Sequence, residues 1–453
     1  MQLQTLTAIS PLDGRYRPKV DLLVNYFSEY ALIRYRVWVE IEYYIALHEV
    51  GLPGLSPVSE ESKTWLRNVY EAFGVGKAAR VKEIEAVTNH DVKAVEYFLK
   101  EKLEKAPDKS LDRNKEFVHF GLTSQDINNT ATPMMLRDAL QEAYLPRLDE
   151  VIAELSAYAE AWKSIPMLAR THGQPASPTT LGKEFAVYVA RLQAQRDELA
   201  AMPVPGKFGG ATGNFNAHYI AYPDTDWEAF AEQFLTQQLG LSRSKPTTQI
   251  DHYDGLSRIF DALKRINTIL IDLCQDCWLY ISQEYFRQKV KKNEVGSSAM
   301  PHKVNPIDFE NGEGNLGMST AMLEFLSRKL PVSRLQRDLT DSTVLRNLGV
   351  GMGYSYLALH SIQRGLGKLL VNEAGISSDL NANWAILAEA IQTILRREGT
   401  EKPYELLKAL TRGKATVTQK DLLVFIEGLS VSDAVKEELR GLTPAGYVGN
   451  AGG

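Results

Sequence analysis

From Leu256 to Val295 the chain runs forty residues without a glycine or a proline. Apolar or aromatic side chains recur there at Leu256, Ile259, Leu263, Ile266, Leu270, Leu273, Cys277 and Tyr280, in alternating steps of three and four. That spacing lines one face of an α-helix and predicts a single rod of about 40 residues, roughly 60 Å long at 1.5 Å per residue. Phe260, Ile269, Trp278 and Ile281 lie off this seam, so more than one face is apolar. A rod of that kind has to be covered on several sides, which predicts a bundle of long helices and association between subunits.

The rod leads into Gly296-Ser297-Ser298-Ala299-Met300-Pro301-His302-Lys303-Val304-Asn305-Pro306. Two hydroxyls, an imidazole, an ammonium and an amide crowd into this stretch. Its two prolines forbid a regular helix through the middle. A rigid scaffold ending in a polar loop is how reactive groups are presented.

Most of the remaining chain also reads helical. Amphipathic or apolar periodicity covers 31–50, 90–105, 134–162 (kinked near Pro146), 179–202, 317–330 and 351–372. Strand-like alternation is confined to short pieces around Arg15-Tyr16 and residues 207–216. The predicted fold is all-α, an elongated multi-domain helical protein with a central long-helix bundle. Its expected parts are an amino-terminal helical domain, 1–112, a central bundle, 113–365, and a small carboxy-terminal helical domain, 366–453. The glycine-rich tail 443–453 is expected to be disordered.

Charge narrows the function. The net charge of −5 provides no basic field for nucleic acid or anionic membrane. No apolar stretch reaches membrane-spanning length, and residues 1–10 lack the features of a secretory signal, so the expected compartment is the cytoplasm. Cys274 and Cys277 form a lone C-x-x-C inside the helical seam with no second pair, which assigns them a structural role.

Polar clusters punctuate the helices at 11–16, 88–92, 119–126, 169–175 and 296–306, with a related tract at 336–346. Four of the eight histidines, His90, His119, His172 and His302, fall in these clusters. None has H-x-x-x-H or H-E-x-x-H spacing, so no metal site is predicted. His48, His218, His252 and His360 read as structural. Thr123 and Asp126 fit a capping box, and a helix amino terminus also binds anions, so the two roles are compatible. The glycine-rich tract 204–216 is no P-loop, because Phe208 follows Lys207 where Ser or Thr is required. Gly296–Met300 is not G-x-S-x-G, which disfavours a hydrolase elbow.

The 296–306 loop matches the G-S-S-x-M-P-x-K-x-N-P signature of the fumarase/aspartase superfamily at every fixed position. Within it the chain most resembles the bacterial adenylosuccinate lyases. The residues that carry this are Gly14-Arg15-Tyr16, Asn89-His90-Asp91, Gly121-Leu122-Thr123-Ser124, Thr171-His172-Gly173-Gln174-Pro175, Met300-Pro301-His302-Lys303 and the Arg337…Ser342…Arg346 tract. Fumarases and aspartases usually carry glycine where His302 stands.

The resemblance implies elimination of fumarate from adenylosuccinate and from succinyl-aminoimidazole carboxamide ribotide, with no metal or organic cofactor. It implies a homotetramer whose active sites are shared between subunits. By position, Ser297 is the base and His172 the acid. Lys303, Asn305, Thr123, Ser124 and Gln249 hold the succinyl carboxylates, and Ser298 contacts the substrate. Arg15, Tyr16, Arg337, Ser342 and Arg346 hold the nucleotide end, where guanidinium forks suit phosphate oxygens. His90 and Asp91 contact the substrate or support His172, and His119 packs near the site. The alternatives are another fumarate-releasing lyase, a carboxymuconate cycloisomerase, or a non-catalytic structural homologue. Retention of both His172 and Ser297 argues against the last.

Overall fold

The structure, a computed structural model, describes residues 4–289, 304–411 and 417–451. The helices that matter for the site are, in chain order, α1 (Glu29–Glu49), α2 (Asp91–Leu103), α3 (Ser124–Ala139), α4 (Leu145–Ala161), α5 (Leu181–Ala201), α6 (Asp254–Ser282), α7 (Ile307–Lys329), α8 (Thr340–Leu345) and α9 (Leu348–Leu366). The strands among the described residues are two or three residues long and pair in twos, so the fold is all-α.

The chain divides into two compact units. The first comprises residues 1–148, 195–268 and 314–360, the second 149–194, 269–313 and 361–453. In the first unit α1 is the central member. Ser28 caps it by accepting from Ala31 N–H at 3.1 Å. Its Ile33, Val37 and Ile41 enter one core cluster with Val95 and Phe98, while Tyr35, Val39, Tyr43 and Leu47 enter another with Phe208, Trp227 and Phe234. Apolar on nearly every side, it is buried, as such helices are. The charged residues in its buried length, Arg36, Glu40 and Glu42, therefore need partners inside the protein.

Between α3 and α4 the helix passes through a π turn, Leu140–Tyr144, so that Pro146 enters α4 in its first turn. The expected kink near Pro146 is this turn. The wider ring absorbs the missing proline N–H, as π turns do.

In the second unit, Tyr158 and Trp162 stack at 4.3 Å between ring centroids and meet Phe185 and Phe286 edge-on or tilted. A smaller core gathers Leu387, Ile391, Leu395, Leu422, Ile426 and Leu439.

Three expectations are corrected. The rod α6 ends at Ser282, is 29 residues in all and is roughly 44 Å long. Glu284 then turns left-handed (φ 61°), and Phe286–Gln288 pairs antiparallel with Leu369–Val371. The tail expected to be disordered is ordered over its described residues, 443–451. The Ala451 carbonyl accepts from Thr180 Oγ1 at 3.0 Å, and Tyr447 OH donates to Glu389. Neither stretch read as strand-like is one. Arg15-Tyr16 sits in a turn closed by Gly14 N–H to Ser10 O and Tyr16 N–H to Pro11 O. Residues 207–216 form a loop that bends through left-handed Gly210 and Gly213, a conformation open to glycine.

Candidate active site

The first unit holds a cleft onto which two of the predicted binding residues, Ser342 and Arg346, open. Its lining includes Arg36 from α1, Gln125, Asn128 and Thr132 from α3, Ser342 from α8, and Arg346. A neighbouring cleft shares Phe27, Ser28, Arg346 and Gly349 with it and reaches Asp13 and Arg17.

Asp91 ties this cleft together. Left-handed Asn89 (φ 51°) ends the preceding helix, and His90 caps α2 by accepting from Lys93 N–H at Nδ1, 3.1 Å. Asp91 then opens α2, with Oδ1 accepting from Val92 N–H. Its Oδ2 receives Arg36 Nη2 at 2.8 Å and Arg346 Nη2 at 3.3 Å. Burial works against the Asp91 carboxylate, but Arg36, the Val92 amide and Arg346 outweigh it and hold its pKa below the usual range.

A second chain of bonds seats Arg337 and Ser342. Asn129 of α3 donates to Tyr253 OH at 2.7 Å, and Tyr253 OH donates to Asp341 Oδ2 at 2.9 Å. Asp341 Oδ1 accepts from Ser342 N–H, and Arg337 Nη2 donates to Ser342 Oγ at 2.8 Å. Asp341 is buried, and Arg337 Nε is buried without a partner among the described residues.

The amino terminus of α3 is held from beneath. Thr123 N–H donates to Asp126 Oδ2 at 2.8 Å, which closes the predicted box. The same carboxylate accepts from Lys207 Nζ at 2.7 Å and from the N–H groups of Gly209 and Gly210. Gln249 donates to Ala211 O at 3.2 Å, so it hangs on that glycine loop. A Cβ on Gly121 would lie 2.7 Å from the His218 ring, so only glycine fits there. His218 is buried beneath, against Tyr43 OH at 3.0 Å, and burial pushes it down to about 4.

His172 lies in the second unit. Arg170–Thr171 and Gln174–Pro175, β1 and β2 here, pair antiparallel with Thr171 opposite Gln174. The two residues between them, His172 (φ 53°) and Gly173 (φ 73°), are both left-handed, which is the type I′ hairpin geometry. Arg170 anchors the hairpin on Asp379 at 2.6 Å. The imidazole is exposed and has no hydrogen-bond partner among the described residues. Asn305 is half-buried just before α7. Ser297, Ser298 and Lys303 lie outside the described residues, as does His302.

His119, half-buried, pairs with the buried Glu40, Nδ1 to Oε1 at 2.6 Å, with Glu96 at 3.9 Å from Nε2. Burial disfavours its charge, yet the two carboxylates prevail and raise its pKa. Arg15 is exposed, with its guanidinium 5.9 Å from the Tyr16 ring centroid. Cys274 and Cys277 are buried free thiols, both pushed up by burial.

Reasoning from sequence missed Arg36, Asn128, Tyr253 and the Asp126–Lys207 pair. One signal was present for Arg36, an arginine set among apolar residues on every side of a helix.

A lyase family model matches residues 14–319, and a model of the adenylosuccinate lyase carboxy-terminal region matches 333–448. The adenylosuccinate lyase of Dictyostelium discoideum is 56% identical over 99% of this chain and 98% of its own length. Those of Haemophilus influenzae and Escherichia coli are 50% and 49% identical, each over 100% of this chain and 98% of theirs. Among solved structures, a fumarate lyase from Mesorhizobium aligns with TM-score 0.75 at 19% identity, over 95% of this chain and 96% of that one. A 3-carboxy-cis,cis-muconate lactonizing enzyme from Pseudomonas putida aligns with TM-score 0.74 at 22% identity, over 95% and 94%. Those two likenesses show the fold. The full-length identities go further: this chain belongs to the adenylosuccinate lyases of the fumarase/aspartase superfamily.

Proposed function

We propose how the residues divide the work of the reaction. As an adenylosuccinate lyase, the enzyme eliminates fumarate from adenylosuccinate to give AMP, and from succinyl-aminoimidazole carboxamide ribotide to give the carboxamide ribotide. A weakly acidic C–H beside a carboxylate loses its proton, and the C–N bond breaks as nitrogen gains one. Negative charge builds on the carboxylate, so cations and donors aimed there lower the barrier.

Ser297 takes the proton and His172 supplies one to nitrogen. A serine hydroxyl is a poor base unless its alkoxide is stabilised, which Lys303 and loop amides provide. Thr123, Ser124, Gln249, Lys303 and Asn305 hold the succinyl carboxylates, and Ser298 contacts the substrate beside them. Arg15, Tyr16, Arg337, Ser342 and Arg346 hold the ribose phosphate. Asp91 orients Arg346, and His90 flanks the substrate. The enzyme works as a cytoplasmic homotetramer, with His172 and Ser297 of one site coming from different chains. Trp278, Leu279, Met318 and Phe325, exposed on α6 and α7, support association.

The observation that carries the binding assignment is the convergence of Ser342, Arg346 and the first turns of α3 on one cleft. A panel of succinyl adducts assayed for fumarate release tests the reading. Turnover of both purine precursors is expected, and a well-folded protein inert toward both would overturn it.

A further inference from the structure

Two guanidinium groups share one carboxylate oxygen in the cleft, and they are not equivalent. Arg36 reaches Asp91 from the buried length of α1 with a side chain only 3% exposed, and its Nε also donates to Asn128 Oδ1 at 2.8 Å. It is tethered at both edges of its fork. Arg346 is 44% exposed and lies between α8 and α9, and its guanidinium has no other hydrogen-bond partner among the described residues. Asp91 is therefore compensated twice, once by a fixed cation and once by a free-ended one.

We propose that Arg36 is a positioning residue whose buried charge satisfies Asp91, so that Arg346 rests on that carboxylate loosely enough to be handed to the phosphate of the incoming nucleotide. This rests on the assignment of Arg346 to the nucleotide end. Within this triad two cations and one anion leave one surplus positive charge, since Glu29 on the same wall is paired with Lys82 at 3.2 Å, and a phosphate dianion meets that charge on entry. Without Arg36 the remaining pair is neutral. Asp91, partly desolvated, would then hold Arg346 as its main counter-ion, and transfer of Arg346 to phosphate would cost more.

The test compares Arg36→Met, Arg346→Ala and the double variant. Each is assayed with adenylosuccinate and with succinyladenosine, the same compound without its phosphate. Arg36→Met should raise KM for adenylosuccinate roughly tenfold, the scale of coupling within one ion-pair network, with kcat within about twofold of wild type. The penalty should nearly vanish with succinyladenosine. In the Arg346→Ala background, Arg36→Met should add little, because its effect runs through Arg346. Arg36→Lys keeps the charge and should stay within about threefold of wild type. Equal penalties on both compounds, a loss confined to kcat, or full additivity with Arg346→Ala would each overturn the proposal. Thermal unfolding checks each variant, and Arg36→Gln replaces Arg36→Met should the latter not fold. Failure of the functional reading looks different: the wild-type enzyme would release no fumarate from adenylosuccinate.

Discussion

Lys207 Nζ lies 2.7 Å from Asp126 Oδ1, and neither side chain reaches solvent. The pair fastens the glycine loop to the first turn of α3, beneath Thr123 and Ser124. Burial lowers the Lys207 pKa against the opposing pull of Asp126. Removing one member of a buried pair strands the other, at a typical cost of about 3–5 kcal/mol. Lys207→Met should lower the unfolding free energy on that scale in urea titrations. A loss under about 1 kcal/mol would show that the loop amides satisfy Asp126 unaided.

His218 gives the fold an acid-sensitive point. It titrates near 4 in the folded protein because burial disfavours its charge, and near 6.5 when unfolded. As pH falls, the unfolded chain binds this proton first. The contribution of neutral His218 is thus complete above about pH 6.5 and is lost as pH falls toward about 4. His48, also lowered by burial, acts in the same direction. His119, raised despite its burial, acts in the opposite one: its contribution is present below about pH 6.5 and fades as pH rises past its folded value. His218→Gln should flatten the fall of unfolding free energy between about pH 6.5 and 4.5, measured by denaturant titration across that range. An unchanged slope would place the acid sensitivity elsewhere.

Ser297→Ala and His172→Ala should each reduce turnover by roughly 100-fold or more, the scale of losing an acid–base group. Substrate should still bind, because the anchoring cations remain. Ser298→Ala should do less. If Ser298→Ala proves the more damaging at equal stability, the base is the other hydroxyl. Activity should also survive exhaustive chelation.

Subunit mixing tests shared sites. The inactive His172→Ala and Ser297→Ala proteins, dissociated together and reassociated, should regain a sizeable fraction of activity if one site draws these residues from two chains. Each variant cycled alone is the control. Exchange verified by mass, with no activity regained, would mean that both residues come from the same chain.

The seam at Leu256, Ile259, Leu263 and Ile266 was legible because a 3.6-residue period writes buried faces directly into sequence. The end of α6 was not. Its left-handed turn falls on Glu284, a residue type that carries no turn signal, and the strand that follows is fixed by pairing with Leu369–Val371, far along the chain. The site divided in the same way. His90, Asp91, Ser342 and Arg346 stood in polar clusters and could be named as candidates. Arg36, Asn129 and Tyr253, which bond to Asp91 or into the network that seats Ser342, lie outside those clusters, and only folding supplies their partners. Lys207 attracted notice as a failed phosphate loop. Its true partner, Asp126, lies 81 residues away.

The hairpin that presents His172 filters substitutions twice. Both of its central residues occupy left-handed backbone, which costs most side chains roughly 1 kcal/mol or more and costs asparagine least after glycine. A replacement at 172 is therefore judged on its ring chemistry and, separately, on whether the turn still closes. His172→Ala alters both together, whereas His172→Asn leaves the backbone at ease and removes only the imidazole. On the role proposed for His172, asparagine is the change that removes the proton donor while leaving the turn intact.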